Sequence, residues 1–170
     1  MTATLSPSFV TDHLKEKFND AIIASEMLND MLTLTVRREK IIDILKFLYE
    51  DEILQFQFLT TLCGVHYPHA EKDKTYSVVY HVHSFINNLR IRIKIFFPEE
   101  KPEVPTATAV FAAANWMERE TYDFYGIIFK GHPNLKRILN VEDMKVFPMR
   151  KEFPLEDQTR EDKADEMFGR

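Results

Sequence analysis

The polar side chains between residues 116 and 132 form the densest group in the sequence that could carry out chemistry. Four of them lie within six residues on a predicted helix: Glu118, Arg119, Glu120 and Asp123. Arg119 and Asp123 are i,i+4 neighbours that could form an ion pair, and Glu120 and Asp123 are i,i+3 neighbours that could share a helix face. Two carboxylates in an apolar pocket would differ in pKa and would suit general acid–base catalysis. The same spacing is common in structural helices that carry ion pairs, so both interpretations stay open.

The histidines and the single cysteine limit the other kinds of site. His132 precedes Pro133, which restricts the histidine to extended backbone geometry; it could be a base, a metal ligand or a hydrogen-bond partner in a loop. His81 and His83 alternate on a predicted strand and so point the same way, but a third zinc ligand is not evident nearby. Cys63 alone cannot form an intrachain disulfide. A single thiol also excludes a four-cysteine zinc site and argues against an iron–sulfur cluster held by this chain alone.

A basic cluster follows the helix, in a stretch without periodicity: Lys136, Arg137, Arg150 and Lys151. Arginines there could clamp a phosphate or the carboxylates of a partner, or the charges could form a solvated face. Prolines at positions 133, 148 and 154 stiffen the segment. Because a rigid irregular arm loses little entropy on association, we expect it to be a surface shaped for another chain. The sequence contains no glycine-rich phosphate loop, nucleophile elbow or paired-cysteine metal motif.

Composition places the chain among ordinary globular proteins. It has 170 residues, 45% of them hydrophobic, and a net charge of −5 from 22 basic and 27 acidic residues. A free-standing nucleic-acid binder usually carries the opposite sign, so we expect no nucleic-acid partner. No window approaches 18 consecutive apolar residues, and the N-terminus has no basic region followed by an apolar stretch. We therefore expect no membrane span and no leader, and only indirect association with a membrane.

The pattern of apolar residues predicts an α+β fold: a small two-layer domain with a mixed or antiparallel sheet and flanking helices, plus an extended C-terminal arm. Ser8 or Thr11 would cap the first helix. We expect helices at about 10–24, 38–51 and 109–125 and strands at 31–36, 55–65, 75–84 and 88–97, with a break over 98–105 and a helix stop at Gly126. The predicted division is an α/β domain at 1–127, a loop and interface arm at 128–154, and an acidic tail at 155–170, disordered alone or laid across a partner.

Residues 114–127, ANWMERETYDFYGI, resemble the signature of the C subunit of the proton-pumping NADH:quinone oxidoreductase, respiratory complex I, which reads roughly A-N-W-x-E-R-E-x-x-D-x-[FY]-G-I. The family pattern continues as F-x-G-H-P-x-L-[RK]-R-I-L, matched by FKGHPNLKRIL at 129–139. It then reads G-x-P-L-R-K-[DE]-[FY]-P, against VFPMRKEFP at 146–154, where Val146-Phe147 and Met149 depart from it. The strand at 77–82 resembles the family more weakly.

The resemblance implies a hydrophilic member of the peripheral arm of the complex, with no cofactor of its own and no activity as an isolated chain. FMN and the iron–sulfur clusters would lie in partner subunits, and quinone would be met only through the complex. The implied partners are chiefly the D subunit, which helps form the quinone pocket, and the cluster-bearing B and I subunits. The implied place is the cytoplasmic side of the inner membrane. The complex would pass electrons from NADH to quinone and couple this to proton translocation.

With this resemblance, we expect subunit-interface residues rather than catalytic, cofactor-binding or metal-binding ones: Trp116, Glu118, Arg119, Glu120, Asp123, Gly126, His132, Pro133, Arg137, Arg150 and Lys151. At least one of the four charges on the helix should be buried and paired in the complex. The alternative is a small stand-alone α/β enzyme that uses Glu120, Asp123 and His132 as acid and base. A stand-alone metal-binding protein that uses His81 and His83 is a further alternative.

Overall fold

The structure is a computed structural model that describes residues 5–153. Residues 5–153 contain three α-helices: α1 (Pro7–Phe18), α2 (Ile41–Glu50) and α3 (Ala114–Tyr125). The same part of the chain contains seven strands: β1 (Ile22–Leu28), β2 (Met31–Val36), β3 (Phe58–His66), β4 (Tyr76–Ser84), β5 (Leu89–Phe97), β6 (Glu103–Pro105) and β7 (Ile128–Lys130). None of the helices within these residues is long and apolar enough to cross a membrane. The predicted tail at 155–170 lies outside the described residues.

A five-stranded mixed sheet forms one layer of the domain. The strand order is β1-β2-β5-β4-β3, with β2 and β5 parallel and the other neighbours antiparallel. A second, two-stranded parallel sheet joins β6 to β7. The predicted α+β class with a mixed sheet and flanking helices is confirmed.

Alternation along β5 separates the two faces of the large sheet. Ile91, Ile93, Ile95 and Phe97 are almost fully buried, while the intervening residues are exposed or half-exposed. The buried face packs in the same core as the apolar stripe of α2, formed by Ile41, Ile44, Leu45 and Leu48. Side chains of α1 and α3 join that core as well. The alternating apolar residues of β5 and the apolar stripe of α2 therefore form two surfaces that pack in one core.

The N-terminal region differs from the sequence prediction. Ser6, rather than Ser8 or Thr11, caps α1, since its hydroxyl accepts a hydrogen bond from the backbone N–H of Phe9 at 3.2 Å. The helix ends at Phe18, and residues 22–28 form β1 instead of continuing the helix to residue 24. β1 pairs with β2 through a tight turn whose two residues both have positive φ, 51° and 58°. Strand pairing outweighs the helix-like spacing of a few apolar residues, as tertiary context commonly does.

The region before α3 also differs. The prediction of no regular structure over 98–105 is wrong for residues 103–105, which form β6 and pair with β7. Helix α3 begins at Ala114, not near 109, because residues 107–114 form successive turns closed by hydrogen bonds to the carbonyls of Ala107 and Phe111. Gly126 ends the helix as predicted, with φ of 74° and its N–H bonded to the carbonyl of Tyr122. The left-handed conformation favours glycine at this position.

A glycine on β3 allows α3 to lie close to the sheet. A Cβ atom at Gly64 would lie 2.8 Å from Thr121 Cγ2 and 2.8 Å from Tyr125 Cδ2, closer than side-chain carbons approach. Thr121 and Tyr125 belong to α3, the helix that carries the candidate site, so α3 contacts β3 at this position. The spacing between α3 and the sheet therefore depends on the absence of one methyl group.

We predict that Gly64→Ala lowers the free energy of unfolding by about 1–3 kcal/mol, because overpacking forces the helix away from β3. Cys63→Ala is the matched control, since its side chain is exposed on the same strand and the change should stay within about 0.5 kcal/mol. Denaturant unfolding of both variants measures the difference. Equal stability of the two variants would contradict the close approach.

Candidate functional site

Asp123 lies at the centre of the candidate site and is fully buried. Its Oδ2 accepts hydrogen bonds from the backbone N–H groups of Ile138 (3.0 Å), Leu139 (2.8 Å) and Asn140 (2.9 Å). Its Oδ1 accepts from Arg137 Nη1 at 2.7 Å and from the side-chain amide of Asn140 at 3.0 Å. One carboxylate of α3 therefore binds four consecutive residues of the C-terminal arm, of which the structure describes 128–153.

The electrostatic environment of Asp123 keeps it ionised. Burial on its own would raise the pKa, but the backbone N–H groups of Asn140 and Leu139 and the guanidinium of Arg137 outweigh burial and hold the pKa far below its ordinary value. A carboxylate with this many donors does not exchange a proton near neutral pH. Asp123 is thus an anchor for the arm rather than a general acid or base.

The guanidinium of Arg137 contacts several groups of the same chain. Its Nη1 donates to the carbonyl of Asp123 at 2.9 Å as well as to the carboxylate. Its Nη2 donates to the carbonyls of Met144 at 2.6 Å and Val146 at 3.1 Å, and its guanidinium lies 5.0 Å from the Phe147 ring. Only 8% of the side chain is exposed. Arg137 therefore links Asp123 to residues 144–147 of the arm.

Arg119 has a different role from the one its spacing predicts. It does not pair with Asp123; it donates to the carbonyls of Lys136 and Arg137, both at 3.1 Å. Its guanidinium lies 5.2 Å from the Trp116 ring. The Arg119–Asp123 pair that the spacing allows does not form, because the Asp123 carboxylate is buried and pairs with Arg137 instead. The i,i+4 rule describes an exposed helix face, and Asp123 does not lie on one.

Arg150 fixes the far end of the arm. Its Nε donates to the carbonyl of Tyr125 at 2.8 Å, and its guanidinium lies 4.9 Å from the Phe147 ring and 5.4 Å from the Tyr76 ring. A longer ion pair reaches Glu99 at 3.7 Å. The arginine thus joins the end of α3, the strand β4 and the arm.

Gly126 and the backbone of Lys151 also take part in the contact between the arm and the domain. A Cβ atom at Gly126 would lie 2.6 Å from the Phe147 ring and 2.9 Å from Arg150 Nη2, so a side chain there would push the arm away. The backbone N–H of Lys151 donates to Nδ1 of His66, a buried side chain of β3, at 3.0 Å. The side chain of Lys151 takes no part in that bond, and the residue is exposed.

Glu118 is a second fully buried carboxylate on α3. It accepts a hydrogen bond from the Thr106 hydroxyl at 2.5 Å and one from the backbone N–H of Ala107 at 2.6 Å. Burial raises its pKa to about 7 in spite of these two donors, which favour the ionised form. Glu118 therefore ties the segment after β6 to the helix and changes its protonation near neutral pH.

His132 lies beside Glu118, with Nε2 4.0 Å from the carboxylate and the side chain fully buried. Its Nδ1 accepts from the backbone N–H of Asn134 at 3.0 Å, which places the ring proton on Nε2. That Nε2–H donates to the carbonyl of Asn115 at 3.1 Å. Both ring nitrogens are occupied by the backbone, as expected of a loop hydrogen-bond partner.

The remaining predicted residues lie outside this buried network. Trp116 is 61% exposed, and Glu120, Pro133 and Lys151 are exposed as well. Glu120 and Asp123 therefore do not share a site, although they are three residues apart. Thr106, Ala107 and Asn140 are binding partners that the sequence pattern missed. The first two follow a proline-rich stretch that carries no signal of its contact with Glu118.

The two histidines of β4 do not belong to a cluster of three or more possible metal ligands within the described residues. Nδ1 of His81 is 2.8 Å from the Thr61 hydroxyl, and its Nε2 accepts a hydrogen bond from Arg92 Nε at 2.9 Å. Residues 5–153 contain no group of three or more histidine, cysteine, aspartate or glutamate side chains placed to hold a metal ion.

Two solved structures have this fold, a two-layer α+β domain. This chain covers 98% of the trypsin-resistant fragment (1–134) of Nqo5, which covers 74% of this chain at 27% identity and a TM-score of 0.62. A chain in the structure of the membrane-bound sulfane sulfur reductase, an archaeal respiratory membrane complex, matches 87% of this chain, and 85% of that chain is matched. Its TM-score is 0.73 and its identity 24%. The fold class of the protein is thus the α+β domain that these two solved structures share.

Sequence comparison is more specific than the fold. Residues 34–159 match the family described as "Respiratory-chain NADH dehydrogenase, 30 Kd subunit". The C subunit of the NADH-quinone oxidoreductase of Roseiflexus sp. (strain RS-1) is 43% identical over 151 residues, which is 89% of this chain and 86% of the relative. The chain belongs to this family, and the resemblance identified from residues 114–154 is confirmed.

We predict that Asp123→Asn destabilises the chain by about 3–5 kcal/mol, because an amide keeps only one acceptor oxygen. Its NH2 group must then face donors, either the three backbone N–H groups or those of Arg137 and Asn140, and Arg137 loses its counter-charge. Denaturant unfolding measures the loss, and limited trypsin digestion should show earlier cleavage after Lys136. Glu120→Gln, an exposed carboxylate on the same helix, should change stability by no more than about 0.5 kcal/mol. Additive effects of Asp123→Asn and Arg137→Gln in a double-mutant cycle would contradict the direct pair.

Glu118 predicts a measurable dependence of stability on pH. Its pKa rises from an ordinary 4.5 to about 7 on folding, so between these values the folded chain holds more protons than the unfolded chain. The free energy of unfolding should therefore fall as pH rises through this window, by up to about 3 kcal/mol from this group alone.

Unfolding of the wild type and of Glu118→Gln at a series of pH values between 4.5 and 8 tests this. The stability difference between them should change with the stated sign across the window. The matched control Glu120→Gln should keep the wild-type slope. A difference that is constant with pH would show that Glu118 folds in its ionised form.

Proposed function

We propose that this chain is a cofactor-free structural component of an NADH-quinone oxidoreductase, required to assemble the complex and to fix the geometry around its quinone site. The complex passes electrons from NADH through FMN and iron–sulfur clusters to quinone, coupled to proton translocation, and the chain itself receives no electron. Family membership supports the complex. The observation that carries the structural role is that the buried charges of the signature are used to hold the arm to the domain.

The exposed side of the arm is the proposed contact with partner subunits. We define the arm patch as four exposed apolar side chains: Trp116, Ile138, Leu139 and Val141. Their exposed fractions are 61%, 36%, 64% and 65%. Arg119 connects the patch, since it contacts the Trp116 ring and the carbonyl of Arg137 beside Ile138. Exposed large apolar side chains grouped on a rigid segment are typical of protein–protein interfaces.

The eleven predicted interface residues then divide into two roles. Asp123, Gly126, His132, Arg137 and Arg150 shape the interface from inside by holding the arm, and Glu118 does so by holding the segment after β6 against α3. Trp116, Glu120, Pro133 and Lys151 are exposed and would contact the partner directly, with Arg119 between the two groups. Since the arm is ordered before binding, its association loses less conformational entropy than that of a flexible segment.

The proposed partners are chiefly the D subunit and the cluster-bearing B and I subunits, on the cytoplasmic side of the inner membrane. The contact with the membrane is indirect, through these subunits, and so is any contact with quinone. A stand-alone acid–base enzyme has less support. Its three residues are not joined in one site: Glu120 is exposed, Asp123 is locked in its ionised form, and both nitrogens of His132 are bonded to backbone groups.

We predict that Trp116→Ala and Leu139→Ser each weaken binding of the chain to the rest of the complex at least tenfold, because central apolar anchors dominate interface affinity. The measurements are co-purification with the complex and NADH–quinone turnover of membranes that carry each variant as their only copy. Arg137 and Arg150 are unsuitable positions, since their substitution would loosen the arm itself.

Ile23→Ser is the matched control, because Ile23 is 65% exposed on β1, at the opposite edge of the sheet from α3. It should assemble and turn over as the wild type does. Thermal unfolding of each purified variant establishes that its fold is intact. Full assembly and turnover of both patch variants would reject the arm patch as the interface.

A further inference from the structure

The face of the large sheet that carries no helix core presents a row of cations. Arg90, Arg92 and Lys94 occupy alternate positions of the central strand β5, on the face opposite the buried Ile91 and Ile93. Alternate residues of a strand are about 6.7 Å apart, so the three charges form an evenly spaced line. We call this line and its strand neighbours the β5 basic face.

Within residues 5–153, none of these three cations has a carboxylate within 4.0 Å, although the whole chain carries a net charge of −5. The nearest register position with an acid is Glu26 on β1, separated from Arg92 by Thr33 of β2. Asp30 lines the same shallow cavity as Arg90. What distinguishes these three cations is their even spacing along one strand, on a sheet face where no acidic residue is a direct register neighbour.

Arg92 is held in place without being neutralised. Its Nε donates to His81 Nε2 at 2.9 Å, and its Nη1 is 3.5 Å from the hydroxyl of Thr33. Nδ1 of His81 is bonded to Thr61 at 2.8 Å, so the row is connected across four strands. Burial and the charges of Arg92, Arg90 and Lys94 lower the pKa of His81, which keeps it a neutral acceptor. A positioned guanidinium of this kind binds carboxylates with little loss of entropy.

Apolar side chains border the row at the end near the β4–β5 turn. Phe58 is the register partner of His83, which is the register partner of Arg90. The rings of Phe58 and Phe85 are 5.1 Å apart, and their exposed fractions are 44% and 67%. Ile86 beside them is 63% exposed. Aromatic anchors next to arginines are the residue types enriched in protein interfaces.

We propose that the β5 basic face binds an acidic segment of a neighbouring protein of the complex, with carboxylates against Arg90, Arg92 and Lys94 and an apolar side chain against Phe58 and Phe85. This rests on the proposed function, because it requires a partner within the same complex. The unpaired cations select an acidic partner, and the exposed aromatic rings offer an apolar contact that a free anion lacks. The surface is distinct from the arm patch, since β3, which α3 packs against, is the far edge strand and the row is centred on β5.

Carbodiimide cross-linking of the purified complex, which joins lysine amines to carboxylates in contact, tests the proposal through Lys94. Mass spectrometry should find Lys94 joined to an aspartate or glutamate of another protein of the complex, and acetylation of Lys94 should be at least tenfold slower in the complex than in the isolated chain. Lys15 on α1 is exposed and serves as the control, with equal acetylation in both states. Fast acetylation of Lys94 in the complex, or cross-links only to residues 154–170 of the same chain, would overturn the proposal.

A double variant, Arg90→Glu with Lys94→Glu, provides a second measurement and leaves the positioned Arg92 intact. Its affinity for the rest of the complex should fall at least tenfold at low salt, and the difference from the wild type should shrink at high salt because exposed charges are screened. Lys15→Glu should bind as the wild type does. Unchanged affinity of the double variant would overturn the β5 basic face while leaving the arm patch standing. Absence of the wild-type chain from the complex would instead overturn the proposed function, and this proposal with it.

Discussion

The buried carboxylate of Asp123 determines the path of the chain beyond the domain. A buried charge is stable only when its partners replace the water it has lost, and here five hydrogen bonds from residues 137–140 do so. These donors belong to the arm, so the carboxylate and the arm must be in place together. From there Arg137 fixes the carbonyls of Met144 and Val146, and Arg150 returns the chain to the end of α3. Loss of the contact between Asp123 and the arm would therefore weaken the contacts that Arg137 and Arg150 make.

Two buried carboxylates on one helix have opposite pKa shifts, and the number of donors explains the difference. Asp123 has three backbone N–H groups, an amide and a guanidinium, so its pKa falls far below the ordinary value. Glu118 has one hydroxyl and one N–H, which do not outweigh burial, and its pKa rises to about 7. Their shared spacing on the helix says nothing of this. A helix rich in acidic residues can thus resemble a catalytic site, although here Asp123 holds the arm and Glu118 holds the segment after β6.

The parts of the fold that the sequence predicts are those set by local patterns. The alternation of β5, the apolar stripe of α2 and the glycine stop at 126 all have partners within a few residues or on one face. The pattern does not predict β1, because this strand exists only through pairing with β2, or β6, because its partner β7 lies about 25 residues away. The same limit affects the site. Resemblance identifies the signature residues, but the partner of Asp123 is Arg137, fourteen residues along the chain, where the i,i+4 rule points to Arg119.

An irregular arm needs another way to satisfy its backbone, and the basic residues provide it. A helix pairs its own carbonyls and amides and a strand pairs them with those of a neighbouring strand, whereas the residues after β7 lack both kinds of ladder in the part that the structure describes. Arg119 donates to the carbonyls of Lys136 and Arg137, Arg137 to those of Met144 and Val146, and Asp123 accepts from three amides in between. These charged side chains satisfy the backbone groups that a helix or sheet would otherwise pair, so the arm has a defined conformation before it binds a partner. Within the described residues, Arg92 on β5 binds only the side chains of His81 and Thr33 and no backbone carbonyl, so the β5 cations do not support an irregular segment in this way. Their charge is therefore available to a second chain.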